Sequence, residues 1–167
     1  PADSICVNEP ILFNGTSTTN IIDWAWDFDD GNTGNGQTVI HSFASAGFYD
    51  VSLIVTNDSN CIDTVIHQIQ VHELPQASIT VLPDTAICAG ERLTFNGSST
   101  TNITSWYWSF GDGNNASGQN VTHAYTAPGE YTVSLTVFNN YDCIDTVYYQ
   151  KIIVDVDIDF SMSNSPS

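Results

Sequence analysis

Positive charge is almost missing from this sequence: Arg92 and Lys151 stand against 19 acidic residues, for a net charge of −17. Nothing here can neutralise a run of phosphates, which excludes nucleic acid as a partner. Anionic membrane surfaces are excluded by the same argument. Apolar runs of about 18 residues, the length a spanning helix needs, are also missing, so no membrane insertion is expected. The pattern of a signal peptide is absent as well, and the expectation is a mature soluble fragment. The motifs G-x-S-x-G, H-E-x-x-H and the phosphate-binding G-x-x-x-x-G-K do not occur. No catalysis is expected, and no cofactor is required. Helical periodicity is absent too, which leaves strands and turns.

What is present comes twice. Trp24-Ala25-Trp26-Asp27-Phe28-Asp29-Asp30-Gly31 returns as Trp106-Tyr107-Trp108-Ser109-Phe110-Gly111-Asp112-Gly113, at an offset of 82 residues. Phe13 and Phe95, His41 and His123, Tyr49 and Tyr131 share that offset, and no insertion is needed across the unit. In each copy large aromatics fall at every second position and end in Asp-Gly, the pattern of a half-buried strand entering a tight turn. Tyr49, Val51, Leu53 and Val55 alternate in the same way, as do Tyr131, Val133, Leu135 and Val137. Six or seven short strands per copy, with turn signals between them, predict an all-β chain of two tandem immunoglobulin-like β-sandwiches. The expected boundaries are 1–73 and 74–155. The alternating tail 156–167 reads as the start of a truncated third repeat, so the chain is expected to come from a longer array. In the last strand Val65, Ile69 and Val71 are expected to face inward together. That parity also buries His67 and sets Lys151 against Ile69, so a bulge is expected there.

Four cysteines occupy matching positions, the pairs Cys6/Cys61 and Cys88/Cys143 each being 55 residues apart. Zinc sites want shorter spacings. One disulfide per repeat, Cys6–Cys61 and Cys88–Cys143, is the economical reading; buried free thiols are the alternative. Disulfides would place the protein outside the cell or on its surface.

The aromatic strand, then His123-Ala124-Tyr125, then Gly129-Glu130-Tyr131-Thr132-Val133-Ser134-Leu135-Thr136-Val137, resembles the PKD (polycystic kidney disease) repeat. Its signature is W-D-F-G-D-G, H-x-Y and G-x-Y-x-V-x-L-x-V. Asp29 stands where the family has Gly, and Ser109 where it has Asp. The resemblance implies an immunoglobulin-like sandwich used as a spacer or interaction module. Paired cysteines in acidic, Lys-poor tandem copies are most similar to the surface adhesins of Bacteroidetes, including those of gliding motility. The function expected is therefore a non-catalytic, disulfide-stapled spacer and adhesion module of a secreted cell-surface protein. The alternative is an accessory substrate- or carbohydrate-binding module of a secreted hydrolase. Neighbouring repeats of the same chain and an extracellular protein or polysaccharide are the expected partners.

Three groups of residues are candidates for more than scaffolding. Asp27, Asp29 and Asp30 crowd one turn, and hard oxygen ligands on a loop suit Ca²⁺; the competing reading is a solvated turn whose carboxylates bond their own backbone. In Asp155, Asp157 and Asp159 a strand period puts three carboxylates on one face, which either a cation bridges or water solvates. Tyr107, Phe138 and Tyr141 are aromatic where the first copy has Ala25, Thr56 and Ser59, a candidate ligand patch. His41 and His123 are read as structural, lying beside core aromatics without an activated nucleophile. Asp-Ser/Thr-apolar triplets begin at Asp3, Asp63, Asp84 and Asp145 and resemble an O-glycosylation sequence of Bacteroidetes; ordinary strand-edge chemistry is the competing account.

Overall fold

A computed structural model describes residues 3–83 and 85–156. They form two compact units that divide between Leu74 and Pro75. All regular elements among the described residues are strands, as the period-two pattern dictates.

In the first unit the strands are β1 (Ser4–Cys6), β2 (Ile11–Asn14), β3 (Ile21–Asp27), β4 (Thr33–Asn35), β5 (Thr38–His41), β6 (Gly47–Asn57) and β7 (Ile62–His72). They form a sheet of order β1-β7-β6-β3-β4 and a smaller sheet β2-β5. The second unit has β8 (Ala77–Leu82), β9 (Ala86–Cys88), β10 (Arg92–Ser99), β11 (Ile103–Ser109), β12 (Asn115–Ser117), β13 (Asn120–Ala124), β14 (Gly129–Asn139) and β15 (Ile144–Asp155). Its sheets run β12-β11-β14-β15-β9 and β13-β10-β8. Each unit is an immunoglobulin-like sandwich whose alternate side chains meet between the sheets. Phe13, Trp26, Phe28 and Leu53 are buried in the first core, and Phe95, Trp108, Phe110 and Leu135 in the second.

The short strands β4 and β12 were not legible as strands, since Thr33-Gly34-Asn35 carries no apolar alternation. Gly34 sits close under the core: a Cβ there would lie 2.9 Å from Val39 Cγ2 and 3.3 Å from the Phe28 ring.

The last strand corrects the register in one copy. Tyr131 pairs with Ile152 and Thr132 with Gln150, so Lys151 is an inserted bulge residue, with φ of 98°. The expected bulge is therefore real in β15, whereas β7 pairs with β6 without a break. The offset between copies grows by one beyond the bulge, and Ile152 and Val154 take the buried places of Ile69 and Val71. The Lys151 ammonium turns out to Glu130, 2.9 Å away. Val65 and His67, expected inside, are both exposed.

The intra-repeat disulfides are overturned. Cys61 and Cys88 are free and exposed, whereas Cys6 and Cys143 are disulfide-bonded. The topology forbids the expected pairs. Cys6 lies opposite His72, at the C-terminal end of β7, because β1 runs parallel to that strand. Cys61 stands just before Ile62, at the N-terminal end of the same strand. A strand of that length separates them by about 35 Å, against a Cα separation of at most about 7 Å in a disulfide. In the second unit Cys88 lies opposite Asp155 and Cys143 just before Ile144, so β15 holds them apart in the same way.

Candidate functional site

The chemistry-bearing side chains converge on the turn that follows the aromatic strand. In the first unit Asp30 Oδ1 accepts from the Asn32 amide at 3.0 Å, and Asp30 Oδ2 accepts from His41 Nε2 at 2.8 Å. In the second, Asp112 accepts from the amide and the side-chain nitrogen of Asn114, at 3.0 and 2.9 Å, and from His123 Nε2 at 2.8 Å. The imidazole lies flat on the strand's last aromatic, with Phe28 and His41 ring centres 4.0 Å apart and Phe110 and His123 4.1 Å apart. Its edge meets Phe43 or Tyr125, and that ring stacks on Tyr49 or Tyr131 in turn. A polar contact thus joins the turn to the opposite sheet, and an aromatic stack continues it into the core. The tryptophans are held likewise: Trp26 Nε1 donates to Gly36 O at 2.9 Å and Trp108 Nε1 to Gly118 O at 2.8 Å.

Both carboxylates of this clasp sit below the ordinary aspartate range. Burial is the largest single influence and acts in the opposite direction. The hydrogen bonds from Asn32 or Asn114, with the neighbouring histidine, together outweigh it. Burial, followed by the Asp112 charge and Tyr131, raises the Tyr125 phenol, whose hydroxyl donates to Phe110 O at 3.0 Å.

The sign for stability follows from the lowered aspartates. Their contribution is complete above about pH 4, the range of an unfolded aspartate. It is lost as the pH falls through their lower folded values. Thermal melts between pH 6 and pH 2 should show wild type losing this increment. The double variant Asp30→Asn, Asp112→Asn should be less stable at pH 6 and have a shallower acid limb. An acid limb as steep as wild type's would mean that other carboxylates carry it.

The residues of the clasp are the aspartate and histidine of the repeat signature, and the comparison with known families rests on the same segments. The PKD domain family matches residues 1–71 and again residues 72–154. The chain belongs to the PKD domain family. Among individual proteins, the pre-pro-metalloprotease PrtV of Vibrio cholerae is 30% identical over 137 residues, 78% of this chain. Collagenase ColA of Clostridium perfringens is 27% identical over 134 residues, 77% of this chain. The chain spans only 14% and 12% of those proteins' lengths. The solved PKD1 domain of the Vibrio cholerae metalloprotease is 30% identical, covering 49% of this chain and 98% of its own, with a TM-score of 0.43.

Within these PKD domains the expected calcium ligands do not converge. Asp27 Oδ1 accepts from the Asp29 amide at 3.0 Å, and Asp29 Oδ2 from the Asp50 amide at 3.1 Å. Asp30 is held by Asn32 and His41. Each carboxylate is thus bonded within the fold, and no group of three acidic, histidine or cysteine residues among the described residues is placed to hold an ion. Asp29 instead explains how this copy dispenses with the family glycine. It adopts a left-handed φ of 60°, which Asp tolerates, and ties the turn to β6 through Asp50. Asp155 is exposed, while Asp157 and Asp159 lie outside the described residues. At matched ionic strength Ca²⁺ and Mg²⁺ salts are expected to give the same melting temperature, because screening is then equal. A selective Ca²⁺ shift, lost on Asp27→Asn, would overturn that expectation.

Two of the three candidate surface aromatics come together. Tyr107 and Phe138 line one shallow depression of about 540 Å³ between β11 and β14, with Trp106 beneath. Tyr141 stands apart in the β14–β15 turn and is exposed. The Asp-Thr triplet at Asp145 has a role the sequence concealed: its Oδ2 accepts from the Ala77 amide at 2.8 Å, anchoring the start of β8. At the matching position of the first unit, Asp63 Oδ1 accepts from the Thr64 amide at 2.9 Å. Asp3 accepts from His67 Nε2 at 2.7 Å, and Asp84 lies outside the described residues.

Proposed function

We propose that this pair of PKD domains is a non-catalytic extracellular spacer that presents a docking depression on its second unit. The observation that carries this reading is the use of the histidines and turn aspartates as scaffold. The His41–Asp30 and His123–Asp112 contacts are each built into the aromatic stack that holds their unit together. The bonded state of Cys6 and Cys143 fits an oxidising compartment outside the cell. The aromatic pair Tyr107 and Phe138 has no counterpart in the first unit, which has Ala25 and Thr56 at those positions. One unit therefore spaces while the other is equipped to bind, and a flat aromatic pair suits a sugar face or an apolar protein surface.

In a surface adhesin, including one of gliding motility, such a pair would extend the chain from the cell. In a hydrolase it would hold a catalytic domain on its substrate. The matched metalloprotease and collagenase favour the second setting. The test is sedimentation of the chain with insoluble collagen and with insoluble polysaccharide, comparing wild type with Tyr107→Ala, Phe138→Ala. Retention of wild type on one support, reduced about tenfold or more in the double variant, is the expected result. Equal pelleting of both proteins, or no retention on either support, would remove docking from the proposal.

A further inference from the structure

The outward face of the larger sheet differs between the two units in one consistent direction. Directly opposed residues of paired strands share a face. In the second unit Ser105 with Phe138, Tyr107 with Thr136, and Ser109 with Ser134 therefore turn away from the core together. Ile144, Thr146 and Tyr148 of β15 continue these rows. In the first unit the matching rows are Asp23 with Thr56, Ala25 with Ile54, and Asp27 with Ser52. Ile62, Thr64 and Ile66 of β7 continue them.

Three kinds of exchange separate the faces. Ser105, Ser109 and Thr132 stand where the first unit has Asp23, Asp27 and Asp50, so carboxylates give way to hydroxyls. Thr136 and Tyr148 stand where it has Ile54 and Ile66, so aliphatic chains give way to hydroxyl-bearing ones. Tyr107 and Phe138 add rings at Ala25 and Thr56. Tyr107 is 46% and Tyr148 63% exposed, and the depression beside Phe138 also has Ser105 and Ser117 in its walls. At the far end of the face Glu130 and Lys151 meet at 2.9 Å, each offsetting the other's charge. A cationic partner would be served better by the aspartates of the first unit, and an apolar protein surface by its isoleucines. Rings set among hydroxyls instead match a ligand with apolar C–H faces and hydroxyl edges, which is a sugar.

We propose that the outward face of β11, β14 and β15 is a platform for a linear, uncharged polysaccharide. The inference rests on the docking reading above and names its ligand. Tyr107 and Phe138 take one sugar ring in the depression, and Tyr148 takes another farther along the chain. Tyr107 and Tyr148 lie two strands and two residues apart in register, a separation of about 12 Å. That is more than one ring covers, so an extended chain engages the site more fully than a single sugar does. Serine and threonine hydroxyls between the rings exchange hydrogen bonds with the sugar hydroxyls. Charge fits this choice: a neutral polymer approaches a chain of net charge −17 without repulsion, whereas an anionic one is held off.

The test is sedimentation of the full chain with insoluble cellulose, chitin and mannan, and with collagen. Retention on at least one of the three polysaccharides is expected, and it should survive a wash at about 1 M salt, where charge is screened beyond about 3 Å. Tyr107→Leu and Tyr148→Ile, both at exposed positions, should each weaken retention by about tenfold and leave the melting temperature unchanged. These variants keep the face apolar and remove only the rings, so they separate sugar stacking from apolar docking. Full retention of both aliphatic variants, or retention on collagen alone, would overturn the polysaccharide while leaving docking in place. Release by the salt wash would overturn it too, by showing a charged contact. No retention of wild type on any support would overturn this inference and the docking reading together.

Discussion

Trp108→Ala is expected to lower the stability of the second unit by about 3–5 kcal/mol, enough to leave a domain of this size close to unfolding at 37 °C. Two losses combine. The indole is fully buried, so its removal leaves a cavity beside Phe95, whose ring centre lies 5.8 Å away. Its Nε1 donates to Gly118 O at 2.8 Å, so the carbonyl that holds β12 against β11 loses its partner. The twin Trp26→Ala should cost less in this chain, because Trp26 is 7% exposed where Trp108 is fully buried. Urea titrations that follow each unit's transition separately decide it. The second unit's midpoint should fall sharply in W108A with the first unit's unchanged. If the two substitutions cost the same, the contrast in burial between the twins is without consequence.

The aromatic framework could be read from the residues because period-two alternation reports directly on which face is buried. Trp26, Phe28, Trp108 and Phe110 are all inside, as the alternation requires. The bulge was legible only as a conflict, a lysine falling where its twin was apolar, and Lys151 resolves that conflict by stepping out of register. Other features were hidden by the kind of information they need. The clasp links Asp112 to His123 across the sandwich, a contact that neither residue's local pattern announces. The alternation in β7 places Val65 on the same face as Ile69 and Val71, yet Val65 is 60% exposed while those two are buried. The turn aspartates looked like ligands because crowded carboxylates without basic neighbours suggest a cation. In the fold they are backbone acceptors, a use that composition does not reveal. Equal spacing misled most over the cysteines. A constant separation of 55 residues shows that two positions are equivalent between copies, not that they are neighbours within one.

In the folded chain two thiols, Cys61 and Cys88, are therefore expected to react with iodoacetamide, and four after reduction in denaturant. Both free cysteines are exposed, so access does not limit the reaction. Cys6 and Cys143 are already oxidised and should acquire adducts only once reduced. Trypsin has Arg92 and Lys151 alone to cut at, so the sites have to be mapped with a protease that cleaves at acidic residues. The same two thiols carry a consequence for association. A free, exposed cysteine in an oxidising compartment is open to intermolecular pairing, and a chain with two of them at opposite ends of its strands can grow beyond a dimer. Under a glutathione redox buffer the wild type should give a ladder of species on a non-reducing gel. Cys61→Ser and Cys88→Ser, taken singly, should stop at dimers, because each leaves one reactive thiol. The double variant should stay monomeric with its fold intact, since neither side chain packs in a core. Recovery of a Cys6–Cys61 or Cys88–Cys143 peptide from the native monomer would contradict the strand order itself, for it would require the two ends of β7 or β15 to meet.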